Sequence, residues 1–412
     1  MKRERAAEAV RGVRPRGRLR GLAPEAVVLV ASAIYFVALW LNEVTTDIRP
    51  HAYYVRDAVA GRVPMPANFL YYLAVYALAL GRTWSWRWLC FSTSLLMGAA
   101  VAAKFAVTRR ILAESLAEAG GARRGWLSPE RLSLVFAVAL LLAESVPMRL
   151  FRAGGYFYLG QIPPNVWHNS TTIFLMPFAL MLFHRSWRQL QDPSDRAGLW
   201  AILLLVVLNV LVKPSFVFAF VAVYPLFMLR AAAREGGARR FAENMIPVAA
   251  AGLLIIGMYA LIYALSFGTT YPGHVGQSGV ALRPLLVWRQ FSPDIPLSLA
   301  ISLIFPAALV ILHPSEARQG RLRYAWALYA ASLLIFALLA ETGPRLTHGN
   351  FFWQAVVCSY ILFMESCARY GARLMEEGPR TWRNATLSVC LWAHVLSGLV
   401  YIPSLLVRGT FL

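Results

Sequence analysis

Apolar runs of about 16 to 22 residues recur along the chain from residue 25 to the end, separated by short polar segments. A helix needs roughly 20 mostly apolar residues to cross the hydrocarbon of a bilayer. The pattern therefore predicts an all-α polytopic membrane protein, with spans near 25–41, 88–107, 132–147, 169–184, 198–213, 215–230, 246–266, 296–312, 324–340, 351–367 and 386–407. That is about 11 transmembrane helices. One further run, 69–80 (F-L-Y-Y-L-A-V-Y-A-L-A-L), is too short for a crossing, and Trp84, Trp86 and Trp88 follow it. Tryptophans of this kind mark a membrane interface, so the run reads as an interfacial helix. Residues 42–87 then form one long first outer loop.

Charge sets the orientation. Eight Lys/Arg fall within residues 1–24, which places this basic tail in the cytoplasm. With 69–80 kept out of the count, cytoplasmic segments hold 27 of the 40 Lys/Arg, outer segments 12, and Lys104 lies within a span. Counting 69–80 as a span would put the basic loops 108–131 and 230–243 outside. No small-residue cleavage site follows the first apolar run, so it reads as an uncleaved span.

Composition agrees: 58% of residues are hydrophobic and 15% charged, and mean hydropathy is +0.55. The net charge of +20 lies mostly in short loops, where it sets topology, and does not indicate nucleic acid as a partner. Cys90, Cys358, Cys367 and Cys390 sit in or beside apolar runs without metal-type spacing and read as small hydrophobes. No repeat and no soluble domain is visible, so 25–412 reads as a single integral membrane domain. Any site is then built from loops and helix ends.

The outer segments carry the candidate chemistry. Just past the first span, N-E-V-T-T-D-I-R-P-H-A-Y-Y-V-R-D packs Glu43, Asp47, Arg49, His51, Arg56 and Asp57 together. The chain has only five aspartates; Asp192 and Asp195 are assigned to a cytoplasmic turn, which leaves Asp47, Asp57 and Asp294 outside with Glu43 and Glu341. The stretch 144–172 carries Arg149, Arg152, Tyr156, Tyr158, Gln161, Asn165, Trp167, His168 and Asn169, and its Gly-Gly and Pro-Pro pairs argue for a fixed irregular loop. V-L-V-K-P-S-F places Lys213 between two spans with almost no loop, and E-T-G-P-R-L-T-H-G-N-F-F-W carries Glu341, Arg345, His348 and Asn350. By this topology all of them face one side.

Such a set suits a phosphate at headgroup level, which calls for Arg or Lys at that depth. Arg149, Arg152, Lys213 and Arg345 could hold it. An attacking hydroxyl needs a carboxylate to take its proton, and Asp47 lies nearest the membrane edge, with His51 as its orienter or as a ligand of the acceptor. Arg49, Tyr158, Gln161, Asn165, Trp167, His168, Asn169, Glu341, His348 and Asn350 complete the candidate substrate contacts. No Gly-rich phosphate loop, G-x-S-x-G elbow or H-E-x-x-H occurs, and short basic cytoplasmic loops leave no place for a nucleotide sugar. No cofactor is called for. His51, His168 and His348 lack any local metal-ligand spacing, although a divalent cation is compatible with the reaction class.

The layout resembles the GT-C superfamily of integral membrane glycosyltransferases: a cytoplasmic N-terminus, a long first outer loop with interfacial helices, and an acidic residue soon after the first span. Asp47 in T-T-D-I-R-P-H occupies that acidic position. The resemblance implies a polyprenyl-phosphate-linked sugar donor, a glycan or lipid acceptor, and an active site on the outer face of the plasma membrane. The sequence departs from it in having Ile48 where a second acidic residue is usual, and in lacking a soluble C-terminal domain. The stretches G-Q-I-P-P-N-V-W-H-N-S-T and K-P-S-F also look like ones in bacterial polytopic proteins of surface-polysaccharide loci, which points to a bacterial inner membrane. Two alternatives share the lipid-linked saccharide. One is a polysaccharide polymerase or ligase. The other is a transporter or flippase, against which stand largely apolar mid-spans and the absence of a repeat.

Overall fold

The computed structural model describes residues 23–119, 127–153, 160–235, 237–264 and 279–409. The candidates Tyr156 and Tyr158, and all but the last two residues of the basic tail, lie outside the described residues. The chain folds as α1 (Ala23–Leu41), α2 (Ile48–Val59), α3 (Leu70–Leu78), α4 (Trp86–Glu118), α5 (Pro129–Leu142), α6 (Ser170–Gln191), α7 (Arg196–Val212), α8 (Ser215–Glu235), α9 (Gly237–Asn244) and α10 (Ile246–Tyr259). There follow β1 (Val280–Leu282), α11 (Leu286–Phe291), α12 (Ile295–Ser302), α13 (Ile304–Leu312), α14 (Gly320–Leu338), β2 (Leu339–Glu341), α15 (Trp353–Glu377) and α16 (Trp382–Arg408).

This is an all-α polytopic architecture. Among the described residues, seven helical segments are long and apolar enough to cross a membrane, and an eighth is reached if α12 and α13, bent by 70° at their junction, make one span. The expected eleven crossings exceed that number. The shortfall has identifiable causes: α5 and α7 are 14 and 17 residues long, and α6 spends its second half on His184, Arg185 and Arg188.

Polar side chains start these helices. Ser128, Asn169, Asp195, Asp294 and Thr381 each accept a hydrogen bond from a first-turn amide, satisfying a donor the helix itself cannot. Asp195, in the expected cytoplasmic turn, is one of these caps. Asp294 also pairs with Arg152 at 2.8 Å, and Asp57 is held by Arg56 and Arg62. Both candidate carboxylates are thus committed to structural work.

Contacts between helix ends sort the bundle into two ends. At one, Thr45 N donates to Gly409 O, Asp47 N to His168 O, and Asn68 Nδ2 to Val212 O. At the other, Arg109 pairs with Glu25, Arg188 with Glu114, and Arg369 and Arg373 with Glu316, which is fully buried. Residues 42–85 leave and return at the first end, because Trp40 and Leu41 line the same groove as Trp84, Trp86 and Leu89. The nine residues of α3 are about 13.5 Å long at 1.5 Å per residue, too short to reach the other end.

The centre of the bundle is α15. Almost every residue from Trp353 to Met375 is buried, and the helix packs against α14, α4, α8, α5 and α13. A short antiparallel ladder with register Val280↔Glu341 links β1 to β2. The α12–α13 break is bridged by Ser302, whose hydroxyl accepts from Ile162 N at 2.9 Å and donates to Ser298 O at 2.6 Å.

The apolar mid-span expected from the sequence is interrupted in this core by Lys104, among other buried polar side chains such as His394 and Asn209. Lys104, 5% exposed, donates to Asn165 Oδ1 and lies 4.4 Å from the centroid of the Tyr360 ring. Asn165 Nδ2 donates to Leu140 O and Ala143 O at 2.6 and 2.7 Å. A buried ammonium without such partners would be prohibitively costly.

Candidate functional site

Four helices begin at the same place. The Asp47 N to His168 O bond (3.0 Å) draws the start of α2 onto the residues just before α6. Lys213 stands in the two-residue turn between α7 and α8, and its Nζ lies 4.7 Å from the centroid of Trp353, the first residue of α15. The N-termini of α2, α6, α8 and α15 therefore converge. Ile48 N of α2 is already held by the Thr46 hydroxyl, Thr172 N of α6 by Asn169, and α15 continues directly from the turn Asn350–Phe352, so what the meeting point offers an anion is the positive dipole ends of α2, α6 and α8.

Asn169 is the joint of this cluster. Its Nδ2 donates to Asp47 Oδ2 at 2.5 Å. Its Oδ1 accepts from Lys213 Nζ at 3.1 Å, from Thr172 N at 3.0 Å and from the hydroxyls of Thr171 and Thr172 at 3.1 and 2.7 Å. Lys213 Nζ donates again to the hydroxyls of Thr171 and Thr172, at 3.3 and 2.9 Å. Asp47 makes no side-chain capping bond in α2, and its Oδ1 has no hydrogen-bond partner among the described residues. One carboxylate oxygen is fixed and the other is available.

Two imidazoles flank the carboxylate. His51 Nδ1 hydrogen-bonds the Tyr72 hydroxyl at 2.7 Å, which ties its ring to α3. His168 Nδ1 meets the Tyr401 hydroxyl at 3.2 Å, with its ring against Trp353. Burial pulls both imidazoles down to about 4, with Asp47 opposing and Lys213 adding to the shift. Burial also lowers the Lys213 ammonium to about 7, against the upward pull of Asp47 and Glu341. At neutral pH the site thus presents two neutral imidazoles beside a lysine poised near its titration point.

A second carboxylate closes the far side. Glu341, at the end of β2, is 3% exposed and accepts from the Tyr263 hydroxyl at 2.5 Å, from Arg345 Nε at 2.8 Å and from Asn350 Nδ2. Lys213 feels Asp47 and Glu341 together. His348, lowered by burial and by Arg345, feels Glu341 and Asp47 too. The stretch 341–350 therefore faces the Asp47 cluster electrostatically.

The structure brings Asp47, His51, His168, Asn169, Lys213, Glu341, Arg345, His348 and Asn350 into one region and places the other candidates elsewhere. Arg49 stacks near Trp40 and Tyr53, pairs with Glu43 at 3.1 Å, and lines a neighbouring groove of ≈ 510 Å³ with Arg56, Trp84 and Trp86. That groove contains neither Asp47 nor Lys213. Arg152 is exposed and pairs with Asp294, and Arg149 is exposed on the turn Met148–Leu150, which packs on α12. Gln161 is buried. Asn165 spends both ends of its amide on Lys104 and on α5 carbonyls, and Trp167 packs on Tyr35 and Phe36 of α1. These last three face the interior of the bundle.

Sequence reasoning missed Tyr72, Thr171, Thr172, Tyr263, Trp353 and Tyr401. The paired threonines after Asn169 and the tryptophan ending G-N-F-F-W were readable signals, since each adjoins a residue already singled out. Tyr72 and Tyr401 were hidden in apolar runs. The described residues contain no group of three or more His, Cys, Asp or Glu that could hold a metal ion. No protein-family model matches the sequence, and no curated protein matches it.

Proposed function

We propose that the chain is an inverting glycosyltransferase of the bacterial inner membrane, with eleven crossings, a cytoplasmic N-terminus and an extracytoplasmic site on the first outer loop. It moves a sugar from a polyprenyl-phosphate-linked donor to a cell-surface glycan or lipid acceptor. The observation that carries this reading is the Asp47–Asn169–Lys213 bridge at the meeting point of four helix N-termini. A base and an anion-holding cation stand a single amide apart. Asp47 Oδ1 takes the proton of the acceptor hydroxyl while that oxygen attacks the anomeric carbon. The bond from the anomeric carbon to the phosphate oxygen breaks, and Lys213 with the helix N-termini holds the departing phosphate. A single displacement of this kind inverts the anomeric centre. The GT-C resemblance of the first outer loop supports the same assignment.

Removal of the base is the direct test. General-base catalysis contributes roughly 10² to 10⁴ in rate, so purified Asp47→Asn should transfer sugar at least about a hundredfold more slowly. Mass spectrometry of lipid-linked and surface glycans should show the corresponding loss in cells. Transfer at the wild-type rate would remove Asp47 from this role.

A second reading, transport of a lipid-linked saccharide, draws on Lys104 and Asn165, which put polar groups inside the bundle. It predicts that Lys104→Met abolishes function while Asp47→Asn does not.

A further inference from the structure

Asn169 does more than begin a helix. A cap needs one side-chain oxygen, and Ser, Thr, Asp and Asn supply it about equally well. The amide does something else as well: its two separate polar atoms let one side chain accept from Lys213 and reach across to donate to Asp47. An aspartate here would cap α6 but set a second carboxylate 2.5 Å from Asp47. A serine would cap and lose the reach to both.

We propose that Asn169 is the positioning residue that locks the Asp47 carboxylate and the Lys213 ammonium into one fixed pair. It leaves Asp47 Oδ1 facing the acceptor and Lys213 facing the donor phosphate. The inference rests on the glycosyltransferase reading for what the pair does, but not for whether the pair is coupled. The amide holds the two charges apart, so neither neutralises the other by direct contact. Lys213 is kept from collapsing onto Asp47 by its bonds to the Thr171 and Thr172 hydroxyls and by the Trp353 ring. Other groups facing the pair are His51 from α2, Tyr72 from α3, His168 from the segment before α6, and Glu341, Arg345 and His348 from the 341–350 stretch.

The composition makes the coupling measurable. Of the 40 Lys/Arg only Lys2, Lys104 and Lys213 are lysines. Lysine labelled with ¹³C at Cε, incorporated into the full chain in lipid nanodiscs, therefore gives three resonances, and Lys213→Arg identifies the one of interest. Asn169→Asp should move the Lys213 titration midpoint up by about one pH unit or more, because a carboxylate replaces the amide. Asn169→Ser should keep the melting temperature within about 2 °C while weakening binding of undecaprenyl phosphate at least about tenfold; Asn169→Thr serves in its place if the serine variant does not fold. An unchanged Lys213 midpoint in Asn169→Asp, with unchanged undecaprenyl phosphate affinity in Asn169→Ser, overturns the proposal and leaves Asn169 a helix cap. A shifted midpoint in a protein whose wild type binds no undecaprenyl phosphate upholds the positioning role and instead counts against the lipid-phosphate donor.

Discussion

Asn165 and Asn169 lie four residues apart, and each holds a lysine whose ammonium faces an aromatic ring of α15. Only the second has a carboxylate on its other amide end and stands at a convergence of helix N-termini. Residue type is the same at both positions; their neighbours decide the role. This is why 163–169 was only half legible. A chain without regular structure has no period to sort its side chains into faces, so Asn165 and Trp167 counted equally with His168 and Asn169. The grouping of Asp47, His51, Lys213 and the 341–350 stretch was readable, because charged groups at helix ends of one parity must share a side. The buried imidazoles give a prediction at this scale. Their folded values lie below the ordinary histidine value, so the unfolded chain binds protons that the folded chain refuses. The contribution of these two rings to stability should be constant above pH 6.5 and fall as pH drops from 6.5 toward 4. Melting temperatures of the purified protein across that range check it, and the slope should lessen in His168→Gln. A melting temperature that rises on acidification would contradict the assignment of neutral rings.

At the scale of elements, hydropathy found the helices but not their ends. The run 88–107 lies inside a 33-residue α4, and the run 169–184 inside a 22-residue α6. Both helices continue past their apolar runs, where Glu114 of one meets His184 and Arg188 of the other, and such pairs are invisible to a count of apolar residues. The break between α12 and α13 was likewise unreadable, since Ser302 fills it through a partner 140 positions away. Close helix contacts yield a sharper test. A Cβ on Gly398 of α16 would sit 1.6 Å from Leu142 O at the end of α5, whereas one on Gly252 of α10 would meet nothing within 4 Å. Gly398→Ala should therefore force the helices apart and lower the melting temperature by several degrees, an effect of the few-kcal/mol kind expected of overpacking. Gly252→Ala should leave it unchanged or slightly raised. Equal melting temperatures for the two variants would refute the packing described at α5–α16.

At the scale of the whole molecule, α15 is synthesised late, with only α16 after it, although most of the bundle packs around it. Its N-terminal end supplies Trp353 to Lys213, and seven residues further on, about 10.5 Å along the axis, it supplies Tyr360 to Lys104. Lys104 belongs to α4, made some 250 residues earlier, and this distance in sequence has a consequence for biogenesis. A lysine at the centre of a lone inserting helix costs about 2.5–3.5 kcal/mol. α4 therefore emerges from the ribosome carrying a group whose cation–π partner does not yet exist. Until α15 arrives, the nascent bundle holds an incompletely matched ammonium, which is the kind of defect that membrane proteases and insertase chaperones retain or destroy. Chains truncated after residue 312 should turn over faster than the same chains carrying Lys104→Leu, as read by pulse–chase labelling. Equal lifetimes would show that Asn165 alone shelters the lysine. The Lys104 site is thus completed only when Tyr360 arrives, and a shorter lifetime of the truncated chains would tie its survival to that late helix.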